Sequence, residues 1–303
     1  ESAGQVLLVG LEPEDECGAI FLRMRKATRK GKLRVASLAP MTSRGLAKLS
    51  GELLRCAPGT EVEVAAEIRE GGEFADLASR LDGGVILVGE RASRTPGLLS
   101  EVVRLAERTH CRIQWVPRRA GERGGVEAGL LPGLLPFGRA LASQEARESL
   151  AWGEIPAQRG LDATQMLEAA ADGRVKALVV GGVDLRDFDD PAAARKALDQ
   201  VDFLVSLEVT DRADVILPVA PPLEKNGTFI NWEGRLRPFG QAIASRSQTD
   251  RLVFDALASE FGVDLGLHDL VGLYDQVNPL MQWNGQREEF VPAKASELVE
   301  VGQ

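Results

Sequence analysis

Three short apolar runs along the chain end in glycine: residues 5–10 (Gln-Val-Leu-Leu-Val-Gly), 85–89 (Val-Ile-Leu-Val-Gly) and 176–182 (Lys-Ala-Leu-Val-Val-Gly-Gly). Continuous Val, Ile and Leu runs of this length fit strands buried on both faces. A loop and a stretch with helical spacing follow each run. The pattern predicts an α/β fold with parallel sheets.

The first run leads into a predicted helix. Glu14, Asp15 and Glu16 follow Pro13 in its first turn, Cys17, Ile20, Phe21, Met24 and Thr28 recur at helical spacing, and Arg29, Lys30 and Gly31 close it. Acid at the start, with base and glycine at the end, matches the helix dipole and the helix stop signals. Residues 33–38 read as the next strand and 43–55 as the next helix. Helices over 74–81 and 98–108 then alternate with strands over 85–89 and 112–116. Residues 118–137 are rich in Gly, Pro and Arg without a period, and read as a surface connection between lobes. Beyond it come helices at 164–171, 192–198 and 249–261, and strands at 176–182, 203–209 and 215–219. The domain reading is a first α/β unit over 1–70 and a second over 71–262, with long loops at 117–160 and 221–248. A C-terminal extension, 263–303, packs outside or meets a partner.

Composition narrows the function classes. The 303 residues are 44% hydrophobic and 27% charged, with a net charge of −9. That is too apolar for a disordered chain and too acidic for the basic footprint of a nucleic-acid binder. No apolar run approaches the ~20 residues that span a bilayer. Cys17, Cys56 and Cys111 form no CxxC pair, which argues for buried reduced thiols over a zinc or iron–sulfur site. The basic cluster between Arg23 and Arg34 reads as solvated charge at a helix C-terminus. The chain opens on Glu1 and enters a strand almost at once, without a visible signal peptide. The expectation is a segment of a longer protein.

Familiar catalytic arrangements are missing. There is no GxSxG, no HExxH and no Walker A loop. His110 and Cys111 are adjacent on a predicted strand, so their side chains point to opposite faces. Loops after Gly10, Gly89 and Gly181 would lie at the carboxyl ends of parallel strands, where doubly wound folds bind ligands. None reads GxGxxG. Glu12 and Asp184 place carboxylates where a phosphate would have to approach.

The most specific stretch is Ala213-Asp214-Val215-Ile216-Leu217-Pro218-Val219-Ala220, then Glu224-Lys225-Asn226-Gly227-Thr228-Phe229-Ile230-Asn231-Trp232-Glu233-Gly234-Arg235. It reads as a buried strand, a tight Asn226-Gly227 turn with φ > 0, a second short element and a Gly-Arg exit. Glu224, Lys225, Glu233 and Arg235 are expected to form a charge network pinning the loop.

This stretch resembles the signature of the molybdopterin oxidoreductase family. Its Glu-Gly-Arg ending resembles the branch that contains the large iron–sulfur subunit of respiratory complex I. The opening, Leu8-Val9-Gly10-Leu11-Glu12-Pro13, with Phe21–Ala27 and Lys30-Gly31, is similar to the family's Gly-x-Asn-Pro and Arg-x-Arg-Lys-Ala patterns. The resemblance covers most of 1–262.

It implies serial doubly wound parallel-sheet units of the molybdopterin oxidoreductase type, with an irregular C-terminal tail. It implies a supporting role in NADH:quinone oxidoreductase, on the cytoplasmic side of a bacterial plasma membrane. Partners would be other peripheral-arm subunits and an N-terminal part of the same subunit bearing [2Fe-2S] and [4Fe-4S] clusters. Catalytic family members hold a bis-pterin guanine dinucleotide. Here the family-like loop residues Gly10, Glu12, Gly181, Asp184, Asn226, Gly227, Thr228, Asn231, Glu233 and Arg235 are expected to be vestigial, with neither molybdopterin nor metal in this segment. A catalytic molybdenum or tungsten oxidoreductase resembling formate dehydrogenases is the alternative. A free-standing small-molecule-binding α/β protein is a third reading.

Overall fold

The computed structural model describes residues 3–150, 152–208, 212–231 and 233–288. The chain divides into two units, one running to Glu122 and the other from Arg123 to Glu289.

The first unit is built on one parallel sheet. In chain order its elements are β1 (Gln5–Val9), α1 (Pro13–Glu16), α2 (Gly18–Arg29), β2 (Arg34–Ala39), α3 (Arg44–Lys48), β3 (Glu52–Arg55), α4 (Glu61–Glu70), α5 (Ala75–Leu81), β4 (Val85–Gly89), α6 (Leu98–Arg108) and β5 (Arg112–Val116). The strand order is β3-β2-β1-β4-β5. All four pairings are parallel, and β1 is buried along its whole length. Leu7, Val9, Leu38, Leu54, Ile86 and Val88 from the strands meet Ile68, Leu77, Leu81, Leu98, Val102 and Leu105 from the helices. Each such side chain contributes about 1.5–3 kcal/mol by leaving water.

The sheet crosses the boundary expected at residue 70. Val6 pairs with Val85 and Val9 with Val88, so β4 completes the sheet that β1 begins. Separating them would expose the apolar face of the central strand, and the structure divides at Glu122/Arg123 instead.

Local breaks also differ from expectation. The helix expected from residue 14 to 28 is interrupted at Cys17, whose non-helical backbone (φ −150°, ψ 62°) separates α1 from α2. The stretch 43–55, expected as one helix, is α3 followed by β3. Ser50 turns the chain at φ +51°, and Leu54 enters the core as a strand residue. Helix α4 has no counterpart among the elements expected from the pattern; it buries Ala65 and Ile68.

The second unit holds a smaller parallel sheet and two hairpins. Its elements are α7 (Glu122–Glu127, starting at the boundary), β6 (Leu134–Leu135), β7 (Arg139–Ala140), α8 (Gln144–Glu148), α9 (Ala163–Ala171), β8 (Ala177–Val180), α10 (Pro191–Leu198), β9 (Phe203–Ser206), β10 (Val215–Ile216), β11 (Gly227–Ile230), β12 (Leu236–Phe239), α11 (Asp250–Glu260) and α12 (Leu270–Leu280). Strands β10-β9-β8 form the sheet; β11 pairs antiparallel with β12, and β6 with β7. Helix α9 starts in a capping box made by Asp162 and Gln165. Helix α10 is capped by Asp190 and starts at Pro191, the favoured first position. Strands expected over 203–209 and 215–219 are shorter. Residues 209–211 lie outside the described residues, and β10 ends before Pro218, which cannot donate to a ladder. One face of this sheet is open: Val179, Phe203 and Val215 are exposed.

The extension expected from residue 263 carries α12 and docks onto both hairpins. Tyr274 Oη lies 2.6 Å from Thr228 Oγ1. Arg139 donates to the Leu280 carbonyl at 2.9 Å, and its guanidinium lies 4.7 Å from the centre of the Trp283 ring. Residues 289–303 of that extension lie outside the described residues.

Candidate functional site

At the carboxyl end of β1 the chain turns sharply. Gly10 has φ +59°, and a Cβ there would collide with the backbone nitrogen of Ala92, in the turn that follows β4. Two residues on, Glu12 caps α1. Its Oε1 accepts from Glu14 N at 3.2 Å, while Glu12 N donates to Glu16 Oε1 at 2.9 Å. The Glu16 side chain is 7% exposed and pairs with Arg91; Glu14 pairs with Lys48. The side chain of Glu12 also fills the space beside Gly45 in the first turn of α3. Two backbone donors after β1, Glu12 N and Glu14 N, are thus taken by the chain's own carboxylates.

The loop after β8 repeats the arrangement. Gly181 packs against Leu207, with its Cβ position 2.8 Å from Leu207 Cδ1. Gly182 N donates to Glu208 Oε1 at 2.8 Å. Asp184 accepts from Arg186 N at 3.0 Å and binds the Arg186 guanidinium through both oxygens. An open cleft of about 390 Å³ lies here, lined by Gly182, Val183, Asp184, Arg186, Arg195 and Glu208 among others. Its charged lining is two carboxylates against two guanidiniums.

The signature stretch forms a hairpin whose turn lies further along than expected. Neither Asn226 nor Gly227 has positive φ; that conformation falls at Gly234, φ +75°. Gly227 opens β11, and Phe239 of β12 covers it. Asn231 makes the turn, its Oδ1 accepting from Glu233 N at 3.0 Å and Arg235 N at 2.9 Å. The four-residue charge network splits. Glu233 and Arg235 approach to 3.6 Å, while Lys225 pairs with Asp250 at the start of α11. Asp214 Oδ2 accepts from Leu204 N at 2.7 Å, which helps tie the β9–β10 edge.

Gly10 and Glu12 belong to the first unit and the other eight anticipated residues to the second. Gly181 and Asp184 belong to the β8 loop, and the cleft lining contains none of 226–235. His110 and Cys111 have separate partners. His110 Nδ1 lies 2.8 Å from Asp82 Oδ1, and Cys111 Sγ donates to the Leu81 carbonyl at 3.1 Å. Burial first, then neighbouring carboxylates, pushes the Cys17 and Cys56 thiols up to about 11. These are protonated, inert thiols at neutral pH.

The model of the molybdopterin oxidoreductase family matches residues 1–250. The chain belongs to the molybdopterin oxidoreductase family. It is 47% identical over 299 residues to the NuoG subunit of NADH-quinone oxidoreductase from Mycobacterium tuberculosis, covering 94% of this chain and 37% of that protein. The corresponding Streptomyces coelicolor subunit is 46% identical over 95% of this chain and 36% of its own length. A putative formate dehydrogenase, YrhE of Bacillus subtilis, is 29% identical over 70% of this chain and 21% of its own length. The chain therefore spans little more than a third of the NuoG relatives it matches. No helix among the described residues is long and apolar enough to cross a membrane.

Proposed function

We propose that this chain is a non-catalytic part of the large iron–sulfur subunit of a bacterial NADH-quinone oxidoreductase. The observation that carries this reading is the gradient of identity: 47% across 94% of the chain to a NuoG subunit, against 29% across 70% to a putative formate dehydrogenase. In this reading the segment follows the cluster-bearing N-terminal part of its subunit. It supports that part and the neighbouring peripheral-arm subunits on the cytoplasmic side of the membrane. Electrons pass from NADH to quinone through iron–sulfur clusters held elsewhere in the complex.

The loop chemistry supports the absence of a pterin dinucleotide. A phosphate-binding loop needs free backbone N–H groups at the strand ends. Here Glu12, Glu16, Glu208 and Asp184 take such donors at the loops after β1 and β8. A carboxylate ~4 Å from a phosphate costs on the order of 1 kcal/mol in water and several in a drier cleft. These residues do not fit the group, and no step of the reaction is assigned to it.

The test is to isolate the intact complex through the full-length subunit and measure NADH oxidation, iron, molybdenum and tungsten together. NADH:quinone activity with iron, and neither molybdenum nor tungsten, is expected. Stoichiometric molybdenum or tungsten with formate oxidation would overturn the reading in favour of the formate dehydrogenase-like alternative.

A further inference from the structure

Strand β8 is open in two ways at once. Among the described residues it pairs with β9 alone, so its other edge has no partner. The Lys176 and Val180 carbonyls accept from Phe203 N and Leu207 N at 3.0 and 2.9 Å. Backbone groups alternate sides along a strand, so the N–H and C=O of Ala177 and Val179 point to the free edge. The face is open as well. The register aligns Ala177 with Phe203, Val179 with Val205 and Val205 with Val215, which puts these apolar side chains on one side of the sheet. There Val179 is 62% exposed, Phe203 46% and Val215 37%. The opposite side is the packed one and buries Leu204 and Ser206. Parallel sheets are almost always covered on both faces.

Edges elsewhere in the chain are guarded. The sheet of the first unit ends in β3, with exposed Glu52 and Arg55, and in β5, with exposed Arg112 and Gln114. Strand β10, the other edge of the small sheet, is two residues long and stops before Pro218. Charge, brevity and proline are the usual means of blocking an edge. Strand β8 is twice as long as β10 and reads Ala-Leu-Val-Val, with neither charge nor proline.

We propose that β8 is an inner strand of a larger sheet in the whole subunit. An extended segment from the portion of that subunit outside these 303 residues pairs along its free edge, and the chain continuing from it covers Val179, Phe203 and Val215. This rests on the reading of the chain as part of a NuoG-type subunit. The match takes 37% of the Mycobacterium tuberculosis subunit, so nearly two-thirds of such a protein lies outside it. A strand with its crossover helix needs only about 30 residues. A segment of the same polypeptide also reaches the edge at high effective concentration, whereas a second copy has to associate first. The covering element is apolar, because the exposed face offers no charge to pair with.

The test uses the intact complex isolated through the full-length subunit. A benzophenone amino acid replaces Phe203, and in a second preparation a diazirine amino acid replaces Val179. Mass spectrometry then locates the crosslinks. Both positions should join to residues of the same subunit that lie outside this chain. In the unsubstituted complex, the Ala177 and Val179 amides should exchange with deuterated solvent about a hundredfold or more slowly than unbonded amides. Crosslinks confined to this chain, crosslinks to a second copy or to another subunit, no crosslink at either position, or fast exchange of the two amides would overturn the proposal. Metal content and activity of the same preparations keep the two readings apart. An NADH-oxidising complex with iron alone and without these crosslinks removes the docking only. Molybdenum with formate oxidation removes the NuoG-type reading, whatever the crosslinks.

Discussion

Phe239 lies over Gly227 so closely that a Cβ on Gly227 would stand 2.6 Å from the ring's Cζ. The same ring stacks on Phe229, with centroids 4.8 Å apart. Glycine is required at 227 for the ring's approach, since the backbone there is an ordinary strand. Gly227→Val should therefore destabilise the second unit by about 1–3 kcal/mol, the usual cost of overpacking. Asn226 is exposed and outside the turn, so Asn226→Val should change stability by less than ~0.5 kcal/mol. Chemical unfolding of the two variants checks the contrast. Equal losses would return the turn to 226–227.

Asn231→Ala should cost about 1–3 kcal/mol, because one side-chain oxygen serves two turn amides. Asn231→Asp should recover most of that loss, since a carboxylate accepts the same two bonds. In the NADH-quinone oxidoreductase complex proposed above, we expect lower subunit abundance with unchanged turnover per complex. A large loss of turnover in fully assembled complex would place chemistry at this hairpin.

Arg91→Ala should destabilise the first unit by about 1–3 kcal/mol, because it leaves the buried Glu16 carboxylate without its cation. Adding Glu16→Gln should restore part of the loss, since the amide oxygen can still accept from Glu12 N. The double variant should thus be more stable than Arg91→Ala alone. Urea midpoints decide this, and additive losses would remove the coupling.

Cys17 and Cys56 set an alkaline limit. Their thiols titrate at 9.0 when unfolded and at about 11 in the fold. The folded state therefore holds these protons more tightly. The stability this provides is complete below pH 9 and is lost as the pH rises towards 11. The unfolding midpoint should fall across that window, and less so in a Cys17→Ala/Cys56→Ala variant. Alkylation by iodoacetamide at about pH 7.5 should be slow until denaturant is added, as expected for protonated, buried thiols.

What could be read beforehand depended on how local the deciding interaction is. Leu98, Val102 and Leu105 repeat at helical spacing and bury one face, so α6 is where the pattern puts it. Strand β5 also lies where the pattern puts it, after His110 turns the chain at φ +51°, although only Val116 of it is buried. Leu46, Leu49 and Leu53 also repeat at helical spacing, yet Ser50 breaks that stretch and Leu54 pairs with Leu38. That outcome depends on a neighbouring strand, which spacing along the chain does not carry. Helix α12 was hidden by Gly272 and Pro279, both poor helix formers, and is held by Tyr274 against Thr228. At the candidate loops, Glu12 and Asp184 were visible in the sequence as carboxylates. Their partners Glu14, Glu16 and Arg186 are only a few residues away, whereas Glu208 reaches Gly182 from 26 residues further on.

The central place of β1 has a consequence for how the first unit opens. A strand paired on both edges and covered on both faces releases its amide protons only when the whole unit comes apart. The amides of Leu7, Leu8 and Val9 should therefore exchange with deuterated solvent last, at the rate of global unfolding. Strands β3 and β5, each with one free edge, should exchange earlier through local fraying. Because β4 joins β1 from far downstream in the chain, slow exchange at Val85–Val88 should rise and fall together with that at Val6–Val9.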